Sequence, residues 1–173
     1  MEPLEEVMPA LEDFFNQRLR YILQEKGLRY DTIDAVLAQG GQQPYNTLKK
    51  AQVLASKRDV ESFTAYLNAY IRCVNLSKKA VTAEWSEYSL ADITEIVLAK
   101  NLKSLVPRIQ EAVDQIDYEE AYSQASQLVP LIEQLFDAVM IMAEDEKLRN
   151  ARLGVLQECA RALGCLGALT LLA

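Results

Sequence analysis

The sequence predicts an all-α fold, a single helical bundle of about seven to eight helices. Apolar residues recur at steps of three and four along almost the whole chain, which is the spacing of one helical face. The alternating β-branched runs and Asn-Gly turns that are typical of hairpins are missing from the sequence. Half of the 173 residues are apolar, enough to bury a core. We therefore expect one compact helical unit over residues 1–173.

Glycines set the ends of the first two helices. A helix from about Leu4 to Lys26 is expected to stop at Gly27, because glycine readily adopts the conformation that follows a helix. A short second helix follows Asp31 and ends at Gly40-Gly41. The residues predicted to face inward are Leu11, Phe14, Phe15, Leu19 and Ile22 in the first helix, and Ile33, Val36 and Leu37 in the second.

The third and fourth helices follow from a proline and an aspartate. Pro44 can open a helix through about Ser56, since a proline at the first helical position gives up only an unpaired amide. Asp59 is expected to cap the fourth helix, which continues to about Ala83. That helix carries the clearest amphipathic stripe of the sequence, formed by Val60, Phe63, Leu67, Tyr70, Ile71 and Val74.

Capping residues mark the next two helix starts. Ser89 followed by Asp92 resembles a capping box for a fifth helix. Asp117 followed by Glu120 resembles one for a sixth helix. Both assignments depend only on local spacing.

Two prolines divide the second half of the chain. Pro107 and Pro130 are each expected to kink or break a helix, because proline removes an amide and crowds the preceding turn. The last helix is expected to run from about Asp145 to Leu166.

The composition excludes several classes of site. With no histidine and no CxxC, the chain cannot assemble a typical zinc site or a Ser-His or Cys-His nucleophile. Cys73, Cys159 and Cys165 are odd in number and have no paired spacing, which disfavours a disulfide framework. No apolar run approaches the roughly 18 residues that a membrane span requires. We expect a cytoplasmic protein with no metal, no membrane association and no cofactor.

Catalysis by this chain is not expected. Gly40-Gly41 is not followed by the GxxxxGK[ST] pattern of a phosphate-binding loop, so ATP should not bind. The carboxylates of Glu119 and Glu120 lie on a predicted solvated face with no apolar pocket to shift a pKa. The acidic run at 144–146 begins the last helix, where capping explains it better than a metal does.

Charge is unevenly distributed along the chain. The formal net charge is -7, which does not by itself indicate a nucleic-acid partner. Residues 41–80, however, contain seven basic and two acidic side chains. An anionic ligand would be expected to bind near this basic quarter.

Three segments together resemble a known family. They read FFNQRLR at 14–20 leading to YDTIDAVLA at 30–38, RCVNL at 72–76, and FDAVMIMAEDEKLRNARL at 136–153. In this order they resemble the C-terminal region of the beta chain of bacterial glycyl-tRNA synthetase, and the third segment is the most specific. The resemblance extends over nearly the entire chain.

The resemblance implies an anticodon-binding module. The corresponding helical bundles are named after an Asp-Ala-Leu-Arg motif, and the literal tetrapeptide is absent here. The beta chain of the family is far longer, so the resemblance implies a fragment of an ATP-dependent glycine-tRNA ligase used in protein biosynthesis. The implied partners are the anticodon arm of glycine tRNA, the remainder of the beta chain and the alpha subunit.

The fourth helix offers the best RNA-binding candidates. Arg72, Asn75 and Lys79 fall at i, i+3 and i+7 and share one side of the helix. An arginine can contact a phosphate or a guanine edge, and an asparagine offers a donor and an acceptor to a base. An ordinary solvated face is the alternative. The further candidates for phosphate or base contact are Lys49, Lys50, Lys57, Arg58, Arg149 and Asn150.

Arg152 is predicted to have a structural role instead. It falls within the apolar row of the last helix, where an arginine must be paired or extend to water. We expect an ion pair with Asp137 or Glu144.

Two alternatives to a glycine-specific module remain open. A helical protein-interaction bundle without RNA binding would also fit the acidic balance and the amphipathic helices. The equivalent domain of an arginyl-tRNA synthetase is the other alternative, although the passage VMIMAEDEKLRNARL at 139–153 favours glycine.

Overall fold

The computed structural model describes residues 4–39, 43–80 and 85–172, with side chains from residue 9 onward. These residues contain helices and no strand, which confirms the all-α prediction. The helices are α1 (Leu4–Glu25), α2 (Tyr30–Leu37), α3 (Pro44–Arg58), α4 (Ser62–Ser77), α5 (Ile93–Asp114), α6 (Tyr118–Ser126), α7 (Val129–Ala138) and α8 (Glu146–Leu163), with short 3-10 helices at Glu87–Ser89, Gly164–Leu166 and Leu169–Leu172.

The helices pack into two compact units, where the sequence led us to expect one. The first unit contains α1, α2, α3 and the C-terminal 3-10 helix. The second contains α4 through α8 and is bounded by Val60 and Cys165. The chain therefore leaves the first unit after Asp59 and returns to it at Leu166.

The first unit is closed by the C-terminal end of the described chain. The Ala168 amide donates to the Ala35 carbonyl oxygen at 2.8 Å, which joins the last segment to α2. Gly167 has a φ of +142, and a Cβ placed there would lie 2.6 Å from the same oxygen. Only glycine fits this close approach, because any other side chain would clash with backbone.

Helix α1 ends as predicted, but most of its apolar face is not buried. Gly27 has a φ of +79, the left-handed conformation expected after a helix. Leu19 is buried as predicted, and Leu23 is buried beside it. The prediction is wrong for the remaining four residues, which are exposed: Leu11, Phe14, Phe15 and Ile22. Periodicity identifies an apolar face but not whether a neighbouring element covers it.

In the core of α2 the prediction holds in part. Ile33 and Val36 are fully buried, and Leu37 is half-buried. Helix α2 ends at Leu37, and the predicted end at Gly40-Gly41 lies outside the described residues. The prediction that the fourth helix continues to about Ala83 is wrong, because α4 ends at Ser77 and residues 78–80 are not helical.

The second unit is organised around a buried tyrosine. Tyr66 of α4 is almost fully buried, and its hydroxyl donates to the Leu163 carbonyl oxygen of α8 at 2.7 Å. The rings of Phe63 and Tyr122 pack against Tyr66, with centroid distances of 6.1 and 4.7 Å. These contacts fix α4 on α8 and α6, so that the other side of α4 faces outward.

The start of α4 differs from the prediction. Asp59 follows the last residue of α3, and α4 begins only at Ser62, with Glu61 before it. Val60 is 48% exposed and does not join the core. The apolar stripe thus begins with Phe63, because the chain is still turning between the two helices at the earlier positions.

The start of α5 also differs from the prediction. Its N-cap is Asp92, whose side chain accepts from the Thr94 amide, and Glu95 completes the capping box. The box therefore lies three residues later than predicted, because Ser89 ends the preceding 3-10 helix. The cap of α6 is confirmed, with Asp117 accepting from the Glu120 amide at 3.1 Å.

The two prolines behave differently. A kink or a break was predicted at Pro107, and because α5 runs through this proline without ending, the break is wrong. Leu105 and Ile109, on either side of this proline, are buried, and packing of this kind offsets the roughly 3 kcal/mol cost of an interior proline. Pro130 lies in the first turn of α7, where its missing amide needs no partner, and the chain breaks before it as predicted.

The last helix begins where the sequence predicts. Asp145 caps α8 by accepting from the Leu148 amide at 2.8 Å. The helix ends at Leu163, and residues 164–166 continue as a 3-10 turn.

Candidate nucleic-acid interface

We call Arg72, Asn75 and Lys79 the basic strip. All three side chains are exposed, and for Arg72 and Asn75 this agrees with their helical spacing. The opposite side of α4 is held inward by buried residues such as Tyr66 and Cys73. Lys79 lies just beyond the end of the helix, which the structure places at Ser77. The strip therefore presents two cations and one amide to solvent.

Arg72 is oriented by an aromatic ring. Its guanidinium carbon lies 3.8 Å from the centroid of the Phe136 ring in α7. In the part of the chain that the structure describes, its guanidinium has neither a hydrogen bond nor an ion pair. In the sequence, Phe136 is distinguished only as the first residue of the third resemblance segment. No local spacing predicts its contact with Arg72.

Two of the predicted RNA-binding cations, Arg58 and Lys50, have hydrogen-bond partners within the first unit. Arg58 forms a bidentate ion pair with Asp31, with N–O distances of 2.5 and 2.8 Å, and also donates to the Thr32 hydroxyl at 2.8 Å. The hydrogen bond from Arg58 lowers the pKa of Asp31 to about 2. Lys50 is buried, and its ammonium donates to the Gln39 side chain at 2.9 Å. Both cations are committed to neighbours within that unit.

The other two candidates in the first unit are less buried. Lys49 is half-buried, with its ammonium 5.6 Å from the centre of the Tyr45 ring. Lys57 is also half-buried. Each retains access to solvent and suits a phosphate contact better than Lys50 does.

Arg149 supports the connection between α7 and α8. Its guanidinium donates to the carbonyl oxygens of Ala143 and Glu144 at 2.9 and 3.3 Å. Asn150, the next residue, is half-buried. Because the Arg149 head group holds backbone oxygens, at most part of it remains for RNA.

The structural role predicted for Arg152 is confirmed, but the predicted partners are wrong. Arg152 pairs with Glu95 of α5, not with Asp137 or Glu144. The pair is buried, since Glu95 is only 1% exposed. The sequence suggested carboxylates close to Arg152 in the chain, whereas the packing of α5 against α8 supplies a distant one.

We call this pair and its hydrogen bonds the Glu95–Arg152 junction. One carboxylate oxygen of Glu95 accepts from Arg152, and the other accepts from the amides of Ala91 and Asp92 at 2.7 and 2.9 Å. Arg152 also donates to the Met140 carbonyl oxygen at 2.7 Å. The junction thus joins the start of α5, the middle of α8 and the segment after α7, with its carboxylate fully hydrogen-bonded.

Groups that could carry other chemistry are scarce. Among the described residues, no cluster of three or more histidine, cysteine, aspartate or glutamate side chains could hold a metal. The three cysteines are buried and form no disulfide, and burial raises the pKa of the Cys159 thiol, which makes it a poor nucleophile at neutral pH. None of the described helices is both long enough and apolar enough to cross a membrane.

Comparisons with known proteins agree with the segment resemblance. The family model for the DALR anticodon binding domain matches residues 66–172. The chain is 55% identical over 171 residues to the glycine--tRNA ligase beta subunit of Desulfitobacterium hafniense (strain DSM 10664 / DCB-2), covering 99% of this chain and 25% of that protein.

More distant relatives carry the same name. The identity is 32% over 157 residues to the glycine--tRNA ligase beta subunit of Desulforamulus reducens, covering 91% of this chain and 23% of that protein. The identity to the glycine--tRNA ligase beta subunit of Bacillus subtilis (strain 168) is 35% over 143 residues, covering 83% of this chain and 21% of that protein. The chain spans about a quarter of the length of these relatives.

Proposed function

The chain belongs to the DALR anticodon binding domain family, and from this membership we propose that it is the tRNA anticodon-arm binding module of a glycine-tRNA ligase beta subunit. The main support is the basic strip, whose exposed cations and amide lie inside the matched segment. Cations suit the phosphates of an RNA loop, and an amide suits an unstacked base. The module supplies binding, while activation and transfer of glycine occur elsewhere in the ligase.

The acidic net charge is compatible with this function because binding depends on local charge. Within the second unit, Arg72 lies in the second half of α4, Lys78 and Lys79 follow the end of that helix, and all three are exposed. The acidic side chains that precede α8, among them Asp145, act at its N-terminus, where the helix dipole favours them. A phosphate backbone would therefore approach the α4 side.

The further partners that we propose are the remainder of the beta chain and the alpha subunit, in the cytoplasm. The support for a protein partner is the exposed apolar side of α1. Phe14 and Phe15 are 63% and 56% exposed, and their rings meet edge to face at 5.9 Å. Two adjacent exposed rings are costly in water and suit a protein surface.

A titration with two tRNAs tests the RNA-binding function. The chain is titrated with glycine tRNA, and with a glycine tRNA whose anticodon has been replaced, at two salt concentrations. We expect tighter binding to the native anticodon, and weaker binding to both RNAs at higher salt because phosphate contacts release counterions. A lack of binding to either RNA at both salt concentrations would instead favour a bundle that binds only proteins.

A further inference from the structure

The orientation of Arg72 differs from that of an ordinary surface arginine. The distance of 3.8 Å between its guanidinium carbon and the Phe136 ring centroid places the charged group directly over the ring. A guanidinium is planar and delocalised, and it stacks on aromatic faces through both dispersion and the ring quadrupole. The ring therefore restricts Arg72 to a narrow range of positions.

The other side of the guanidinium faces water. Arg72 is exposed, and within the described part of the chain its guanidinium contacts the Phe136 ring and has no hydrogen bond or ion pair. This distinguishes it from Arg152 and Arg58, whose donors are taken by carboxylates. The outer face of Arg72 and its N–H groups are thus available to a ligand.

Arg72 and Phe136 both belong to helices that are packed in the second unit. Phe136 is half-buried in α7, which is anchored by the buried residues Ile132 and Leu135. Arg72 extends from α4 next to the fully buried Cys73. Because packing restrains both helices, the Arg72 side chain is already ordered before a ligand binds. The loss of side-chain entropy on binding is therefore small.

We propose that Arg72 is a stacking platform for one unpaired nucleobase, so that the Phe136 ring, the guanidinium and the base form a three-layer stack. This rests on the proposed RNA-binding function and specifies the ligand as a base of a single-stranded loop. Guanidinium planes are common stacking surfaces for bases that have left a helix. Asn75 lies about 4.5 Å further along the helix axis, close enough to hydrogen-bond the edge of the same base.

The stack is tested by variants that retain charge and apolar character but remove one planar layer. Arg72→Lys retains the charge and loses the plane, and Phe136→Leu retains an apolar side chain and loses the ring. Binding of each variant, and of the double variant, to the anticodon stem-loop RNA of glycine tRNA is measured by fluorescence anisotropy. Arg161→Lys is the matched control, because Arg161 is an exposed arginine in the last turn of α8.

We expect Arg72→Lys and Phe136→Leu each to weaken binding about tenfold, which is typical for the loss of one stacked base. The double variant should be little weaker than either single variant, since both changes remove the same stack. The salt dependence of Arg72→Lys should match that of the unaltered chain, because the number of charges is unchanged. Arg161→Lys should bind as the unaltered chain does.

The outcomes separate this inference from the RNA-binding function. If the unaltered chain binds the stem-loop and Arg72→Lys binds equally well, the platform is wrong and the function stands. If the unaltered chain does not bind the stem-loop, both fail. Should Phe136→Leu unfold, Arg72→Lys decides the matter alone, because Arg72 is an exposed residue whose replacement leaves the core intact.

Discussion

The basic strip and the Glu95–Arg152 junction lie in the same unit, and each depends on an arginine, yet their surroundings are opposite. Arg152 is buried and its donors are used by a carboxylate and a carbonyl oxygen. Arg72 is exposed and rests on a ring, with its donors directed to no other described residue. The comparison teaches that the partners available after packing, and not the residue type, decide whether a cation stabilises the fold or serves a ligand.

The largest expected effect is on the junction. Arg152→Ala should lower the free energy of unfolding by about 3–5 kcal/mol, because it leaves the Glu95 carboxylate buried without its cation. Urea denaturation followed by circular dichroism measures this change. The exposed Arg161→Ala serves as control and should cost under about 0.5 kcal/mol. A loss for Arg152→Ala as small as that of the control would show that the junction is dispensable.

The ion pair between Arg58 and Asp31 should make the stability of the chain depend on pH. The pKa of Asp31 is lowered to about 2 in the folded chain, from 3.8 for the free side chain. The unfolded chain therefore binds this proton more readily, so the stabilisation is complete above pH 4 and is lost as the pH falls towards 2. The shift corresponds to about 2 kcal/mol.

This contribution can be isolated with Asp31→Asn. Denaturation of the variant and of the unaltered chain is compared between pH 7 and pH 2. We expect the unaltered chain to be the more stable at pH 7 and the difference to shrink as Asp31 is protonated. A difference that stays constant across this range would contradict an ion pair with Arg58.

A substitution in the basic strip should weaken RNA binding and leave stability unchanged, the opposite of the effect expected at the junction. Lys79→Ala should change the free energy of unfolding by less than about 0.5 kcal/mol, because Lys79 is exposed. It should weaken binding to every tRNA and reduce the slope of log affinity against log salt by about 1, as expected for one lost phosphate contact. An unchanged slope would exclude Lys79 from the interface. Lys147→Ala, an exposed lysine in the first turn of α8, is the control.

The smallest expected effect is that of Asn75→Ala. An amide carries no charge, so the salt dependence should not change. The preference for glycine tRNA over a tRNA with another anticodon should fall a few-fold, by about 1 kcal/mol, because one base contact is lost. Equal weakening towards both tRNAs would indicate that Asn75 contacts the RNA backbone instead of a base.

The features of the fold that could be predicted depend on local chemistry. Pro44, Asp117 and Asp145 begin their helices as expected, since a cap or an N-terminal proline acts within one turn. The exposed face of α1 and the unbroken helix through Pro107 could not be predicted. Both depend on which elements pack nearby, and no single segment contains that information.

The same limit applies to the candidate site. Helical spacing was enough to place Arg72 and Asn75 on an exposed side of α4, although the helix ends before Lys79. It was not enough to identify Phe136 beneath Arg72, Glu95 beside Arg152 or Asp31 beside Arg58. Each of these partners comes from another helix, so the free cations could be told from the committed ones only after folding.

The separation of binding from folding is tested most directly by measuring glycine tRNA affinity and thermal melting together for Arg72→Ala and Arg152→Ala. We expect Arg72→Ala to melt at the same temperature as the unaltered chain. It should bind the tRNA about tenfold more weakly, because one stacked base is lost. We expect Arg152→Ala to melt at a clearly lower temperature and, while folded, to bind with nearly unchanged affinity. Undiminished binding by Arg72→Ala, or an unaltered melting temperature for Arg152→Ala, would contradict the division of roles between the two arginines.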